Sequence, residues 1–366
     1  MRIERAGSTR DLVEAVARLP AAGPLPCRTV LVPRERVAHS LRRELVRAGH
    51  AGALAGTRFV PVGAAAAAVL GAAAVEFTAG EEVLRPARLL ALFRENLRLE
   101  HFPRALLEER PGWDDAFARA IGDLEAAGLR PDALQAEGSK RLRDVATIWQ
   151  GADRLARGSW TAQRILHEAA ALLERRRDLW PYAGPALAMA TGHESGAQAR
   201  FLRALPGVTI GLLAARPLRE RHLERVATLY GPRARHALAE VEPRPAGSEL
   251  SILAAYLFEA PRILADAGRP RSAGPDDTVR LEEHSGIDAE VEAAADWVAE
   301  QVADGVALED IAVLVPAVDP VGGLVAERLA RLPWRDGTLP VHVAGGLPLV
   351  GTAAGARALA VVRALR

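Results

Sequence analysis

The sequence predicts an α/β fold built on parallel sheets and interrupted by a helical insertion. Short β-branched runs lead directly into segments of helical periodicity near the N-terminus and again in the last quarter of the chain. The stretch between, residues 81–184, shows helical spacing alone, and strand signals resume after it. Strands alternating with helices argue for parallel pairing, because each parallel partner needs a crossover.

The elements follow in order. Arg28-Thr29-Val30-Leu31-Val32-Pro33 is a strand closed by proline, and 36–48 carries apolar residues at helical spacing. Phe59-Val60-Pro61-Val62 enters an alanine-rich helix, a second step of the same kind. Over 81–184, Leu89, Leu92 and Phe93, then Phe117, Ile121 and Leu124, then Ile165, Leu166, Ala169 and Leu173 mark helix faces, and no strand is expected. Strands return at 186–190 and 208–213 with a helix over 197–205 between them. A first domain is therefore expected from 1–80 and 185–250, with the insertion at 81–184.

Proline and glycine at 243–247 and 268–275 mark linkers around a helix over 250–264, giving a linker region at 251–275. From 276 to 366 the pattern predicts strand 279–284, helix 288–303, strand 311–315, helix 321–332, strand 341–344 and helix 353–365, the first part of a second parallel sheet. The chain stops directly after that helix, so a longer polypeptide is expected.

Composition narrows the function. Forty-seven basic and 46 acidic residues leave a net charge of +1, so no global field draws the chain to nucleic acid. Any such contact must be local. The single cysteine, Cys27, excludes an internal disulfide and fits the cytoplasm. No signal core follows the N-terminus, the alanine run is too short to span a bilayer, and no membrane association is expected.

The motifs mostly exclude. The only lysine, Lys140, lies in Gly138-Ser139-Lys140-Arg141, outside any phosphate loop. Ala6-Gly7-Ser8-Thr9-Arg10-Asp11 lacks the second glycine and the lysine that cradle phosphates, and reads as a cap on the helix through 12–19. Gly192-His193-Glu194-Ser195-Gly196 has glutamate where a nucleophile elbow needs serine, so it reads as a loop capped by Ser195, with His193 and Glu194 at a solvated end. His167-Glu168 lacks a second histidine at helical spacing, and Glu282, Glu283 and His284 read as another solvated end, so no metal is expected. Gly322-Gly323 and Gly345-Gly346 do not form a dinucleotide fingerprint. Asp288, Glu290, Glu292, Asp296 and Glu300 line the solvated face of their helix, and Trp113, Trp149, Trp160 and Trp180 are expected in the core.

Residues 284–366 resemble a known family as a whole: an acidic helix, then Glu309-Asp310-Ile311-Ala312-Val313-Leu314-Val315, a helix ending Glu327-Arg328-Leu329, then Pro340-Val341-His342-Val343 and Gly345-Gly346-Leu347-Pro348-Leu349. The order is similar to the start of the second motor domain of UvrD-type helicases and, more closely, of the B subunits of AddAB-type helicase-nucleases. Val30-Leu31-Val32-Pro33-Arg34-Glu35-Arg36-Val37-Ala38 looks like that family's first strand after the nucleotide loop, whose following segment touches single-stranded DNA. The resemblance implies degenerate RecA-like (P-loop NTPase-like) sheets and a catalytically inactive, DNA-binding scaffold in double-strand-break processing. It further implies a partner subunit that hydrolyses ATP, and a PD-(D/E)XK exonuclease domain beyond Arg366.

The departures bear on activity. No acidic pair follows 186–190, and no arginine stands in Pro316-Ala317-Val318-Asp319-Pro320-Val321-Gly322-Gly323 where a helicase reaches its nucleotide. Neither ATPase nor nuclease activity nor a cofactor is expected of this chain. Carried over by position, Arg34 and Arg36, with Arg42 and Arg43 on the next helix, are the candidate DNA-phosphate contacts, beside the plain reading that they are solvated helix arginines. Two other readings stay open: a transferase using a nucleotide-linked donor on a doubly wound sheet, and a protein-interaction scaffold without DNA affinity.

Overall fold

The computed structural model describes residues 2–6, 8–20, 27–95, 97–109, 111–213, 220–239, 248–256, 262, 265, 274, 276–316, 321–335, 337–344, 346 and 353–364. The chain divides into two compact units, residues 1–247 with 251–270, and residues 248–250 with 271–366.

In the first unit β1 (Arg2–Ala6), α1 (Thr9–Ala17), β2 (Arg28–Val32), α2 (Glu35–Arg47), β3 (Thr57–Pro61) and α3 (Val62–Ala72) come first. After the helical stretch come β6 (Ala186–Ala190), α10 (Gly196–Ala204), β7 (Val208–Leu213), α11 (Glu220–Tyr230) and α12 (Pro232–Ala239). The five strands form one sheet in the order β1-β7-β6-β2-β3, and every pairing is parallel. The α/β expectation for this unit is met.

Period-2 alternation sorts the strand side chains into two cores. Val30, Val32, Leu187 and Met189 meet Leu12, Val16, Leu41 and Leu45 of α1 and α2. Leu31, Ala188, Ala190, Ile210 and Leu212 face the other way, onto Val69, Leu166, Phe201 and Val226. With both faces covered, β6 is buried at every position, which is why it reads as an uninterrupted apolar run. Each fully buried Leu or Val contributes about 1.5–3 kcal/mol.

β1 carries no strand signal in the sequence. Arg2-Ile3-Glu4-Arg5 is mostly charged because β1 is an edge strand, bonded to β7 alone and exposed at its start. α12 packs along it.

The insertion contains α4 (Glu81–Phe93), α5 (Arg104–Glu109), α6 (Trp113–Ala126), α7 (Pro131–Ala136) and α8 (Lys140–Ala156). These have a core of their own around Leu89, Leu92, Phe117, Ile121, Ile148 and Trp149. Asp144, buried on α8, accepts the backbone N–H groups of Glu100 (2.9 Å), His101 (2.6 Å) and Phe102 (3.0 Å), which fixes the segment before α5. α9 (Ala162–Arg175) leaves this core, and its Ile165, Leu166, Ala169 and Leu173 pack in the core of the sheet.

One expectation fails here. Two short strands, β4 (Thr78–Ala79) and β5 (Ser159–Trp160), pair in parallel where the chain enters and leaves the insertion. Two residues are too few to leave a periodic signal. The tryptophans pack as expected: Trp149 is buried, Trp113 lies against Phe102 and Phe117, Trp160 stacks on Phe77 at 5.2 Å, and Trp180 meets Tyr182 edge-on at 4.9 Å.

The second unit holds α14 (Ile287–Ala303), α15 (Gly323–Leu329), the antiparallel pair β8 (Pro333–Trp334) and β9 (Gly337–Thr338), and α16 (Ala353–Ala364). Val291, Ala295 and Val298 pack against Val325, Leu329 and Leu339. Of the helix expected over 250–264, α13 (Glu249–Tyr256) is described, and its first two N–H groups donate to Asp276 (3.0 Å) and Thr278 (3.0 Å).

The strands expected at 279–284, 311–315 and 341–344 are not formed among the described residues, which show no ladder there. Residues 311–315 keep the alternation without the pairing: Ile311, Val313 and Val315 pack on the core of this unit while Leu314 is 93% exposed. An apolar run specifies an extended chain with one sticky face, but parallel hydrogen bonds need a partner brought from elsewhere by a crossover. No described helix is long and apolar enough to cross a membrane. Gly7, Ala317 to Pro320, Gly345, Leu347 to Leu349, Leu365 and Arg366 lie outside the described residues, as do linker residues 243–247, 268–273 and 275.

Candidate nucleic-acid interface at the strand ends

In an open parallel sheet the crevice for a ligand lies outside the carboxyl ends of the strands. The connections leaving β1, β2 and β6 at that edge carry the candidate residues.

Only residues 7 and 8 separate β1 from α1. Ser8 is extended (φ −153°, ψ 167°), and its Oγ accepts the Asp11 N–H at 3.3 Å. The expected cap is therefore present. A phosphate loop of the G-x-x-x-x-G-K form needs several successive backbone N–H groups turned inward, and two residues leave no length for them.

The connection from β2 to α2 is equally short. Arg34 is the N-cap residue, extended and without a side-chain capping bond, and both Arg34 and Arg36 are exposed at the carboxyl end of β2. Arg42 and Arg43 lie about 12 Å further along α2, at 1.5 Å per residue. Both are half-buried: the Arg42 guanidinium sits 4.9 Å from the Phe59 ring centre and 3.6 Å from Glu35, and Arg43 approaches Glu44 at 3.5 Å. The four predicted arginines thus divide into two exposed at the strand ends and two held against neighbours of their own.

The β6–α10 connection departs most from its sequence reading. Glu194 is not at a solvated end; it is 6% exposed, and four donors surround its carboxylate. Oε1 accepts the Thr191 N–H (2.6 Å) and the Thr191 hydroxyl (3.1 Å), while Oε2 accepts the Gly192 N–H (2.9 Å) and the Tyr230 hydroxyl (2.8 Å). A carboxylate so occupied closes the loop after β6 and has no lone pair left for magnesium or for water activation. Burial, then the neighbouring Glu194 carboxylate, pushes the Tyr230 hydroxyl far above its ordinary range, so Tyr230 stays protonated as a donor. Sequence reasoning missed this site because Tyr230 is 36 positions from Glu194. Ser195 does cap α10, accepting the Gln198 N–H at 3.1 Å as expected.

His193 is exposed and lies edge-on to His222 of α11, ring centres 4.6 Å apart. Burial first, and His193 second, hold the His222 imidazole below its ordinary range, against a bond with the Thr191 backbone. Arg225, one turn along α11, donates to the Glu194 carbonyl at 3.4 Å.

Gly192 makes the arrangement possible. Its φ is +79°, and a Cβ there would stand 2.6 Å from His222 Nε2 and 2.8 Å from Val226 Cγ2. Gly192→Ala is expected to lower stability by about 1–3 kcal/mol through strain and overpacking together. Urea unfolding checks this, and an unchanged midpoint would contradict the close approach.

In the second unit His284 pairs with Glu282 at 3.1 Å on the surface, as its sequence reading expects. Among the described residues no group of three His, Cys, Asp or Glu is arranged to hold a metal ion. A cavity of about 440 Å³ opens in the insertion beside Arg85, Asp115, Arg119 and Glu125, with Thr161 and Gln163 also lining it. No known protein family and no curated protein matches the chain.

Proposed function

We propose that the chain is a RecA-like pseudo-helicase, the DNA-holding scaffold of a double-strand-break processing subunit that works in the cytoplasm beside an ATP-hydrolysing partner. The observation that carries this reading is the two-residue connection between β1 and α1, at the position where a motor domain holds its phosphate loop. Two others support it. The carboxylate after β6 is consumed in closing its own loop, and a helical insertion interrupts a parallel sheet between β3 and β6. The nuclease domain implied by the resemblance would lie beyond Arg366.

On this reading Arg34 and Arg36 meet phosphate oxygens, and Arg42 and Arg43 contribute less because Phe59, Glu35 and Glu44 occupy them. Fluorescence anisotropy on single-stranded and tailed duplex DNA tests it. Affinity is expected to fall steeply between about 50 and 200 mM salt. Arg34→Ala with Arg36→Ala should reduce the slope of log K against log salt by about 2, one unit for each phosphate no longer neutralised. Failure to bind at the lower salt, or a double variant with the parent slope, would sink the proposal. The first outcome would leave a protein-interaction scaffold.

A further inference from the structure

We infer that His193, His222 and Arg225 form a phosphate-binding cluster at the carboxyl end of β6, taking the anion between two imidazole N–H groups and one guanidinium. The inference deepens the DNA-holding reading and rests on it for the source of the phosphate.

Position is the first argument. β2 and β6 pair in parallel, with Leu31 opposite Ala188, so the connections that leave them, one carrying Arg34 and the other His193, emerge at the same end of the sheet. The exposed arginines and the imidazole pair therefore share one end of the sheet, where anions and nucleotides meet parallel α/β folds.

Donor chemistry is the second. His222 is half-buried with Nε2 close against Gly192, and its imidazolium form has an N–H on each ring nitrogen. His193 is exposed, and one guanidinium N–H of Arg225 is spent on the Glu194 carbonyl while a guanidinium has five. The nearest carboxylate, Glu194, is buried beneath the loop, and four donors on it offset its charge.

The third argument is the imidazole pair itself. Burial, then His193 with its ring centre 4.6 Å away, disfavours the charged form of His222, and an anion held against the exposed side of the pair offsets that cost. The charged groups that bear on His222 are Glu194 from the β6–α10 connection and Arg225 from α11, while Tyr230 of α11 and, through it, Arg203 of α10 bear on Glu194. Anion binding favours the imidazolium form, so the complex holds more protons than the free protein. Affinity must therefore rise as the pH falls.

The test uses the full chain with labelled histidine, titrated with inorganic phosphate while the imidazole C–H resonances are followed. Saturable shifts are expected for two of the nine histidines, assigned by His193→Gln and His222→Gln. His193→Gln and Arg225→Gln should each weaken binding about tenfold, the loss of one charge-assisted bond. Sulfate, whose charge is constant between about pH 5.5 and 8, should bind more tightly at the acid end of that range.

Oligonucleotides with a 5′-phosphate or a 5′-hydroxyl distinguish a terminal phosphate from the phosphodiester backbone as the source. The absence of a saturable shift at millimolar phosphate, or shifts identical in His193→Gln and Arg225→Gln, overturns the cluster. His193 is exposed, so its variant decides the matter even if His222→Gln does not fold. DNA binding that survives in both of these variants yet falls in the Arg34, Arg36 double variant overturns the cluster alone. Phosphate binding without any DNA binding overturns the DNA-holding reading alone.

Discussion

Arg85→Ala should remove about 3–5 kcal/mol of stability, because it strands a buried carboxylate. Arg85 on α4 and Glu125 on α6 are 3% and 8% exposed. They meet in a two-pronged pair, Nη1 to Oε2 at 3.0 Å and Nη2 to Oε1 at 2.9 Å, and the Thr161 hydroxyl donates to the same Oε2 at 3.0 Å. Thr161 also caps α9 by accepting the Arg164 N–H, and Glu82 accepts the Ala162 N–H beside it.

The network therefore ties α4 and α6 to the point where the chain leaves the insertion. Guanidine unfolding of Arg85→Ala measures the loss. Arg85→Met with Glu125→Leu should cost less than half as much, since no charge is left buried. Hydrogen exchange in the variant should quicken first at residues 78–82 and 159–162, ahead of the strands of the large sheet. A cost under about 1 kcal/mol would mean that water enters the site freely, and would remove it as the anchor of the insertion.

Glu194→Ala is expected to cost about 3–5 kcal/mol. Two backbone N–H groups and the Tyr230 hydroxyl lose their acceptor in a site closed to water, at about 1–3 kcal/mol for each donor left unsatisfied. Glu194→Gln keeps one acceptor oxygen and should lose roughly half of that. Tyr230→Phe should lose about 1 kcal/mol, the net value of a single bond. If Glu194→Ala unfolds at the parent midpoint, the carboxylate is not the staple of its loop, and its availability for chemistry reopens.

Much of the sheet was legible because its strands are buried on both faces. The uninterrupted apolar run at β6 and the short apolar, β-branched runs at β2 and β7 leave little else for those residues to form, and the amphipathic spacing of α2 and α9 is strong. The same rule hid β1, whose edge position permits charges, and it promised strands at 279–284, 311–315 and 341–344 that have no ladder. Hydrophobic patterning reports which face is dry and is silent about which backbone lies alongside.

The site was less legible than the fold. Arg34, Arg36, Arg42 and Arg43 look alike in sequence, and what separates them is Phe59 on β3 together with Glu35 and Glu44 on α2. Glu194 reads as a loop residue until Tyr230 is brought to it, and the pairing of His193 with His222 depends on Gly192 having no Cβ.

The short passage from β1 into α1 has a consequence for any attempt to give this chain an ATPase. The number of amide donors in a loop equals its number of residues, and side-chain exchange cannot add one. Lysine at Ser8 or Thr9 would supply a charge without the ring of N–H groups that holds a phosphate in place. A phosphate loop would require added residues between Ala6 and Thr9, directly before the helix whose Leu12, Val13 and Val16 are buried in the sheet's core. Point mutation alone therefore cannot build a phosphate loop at this connection, because the missing part is backbone and the helix that follows is packed in one of the two cores of the sheet.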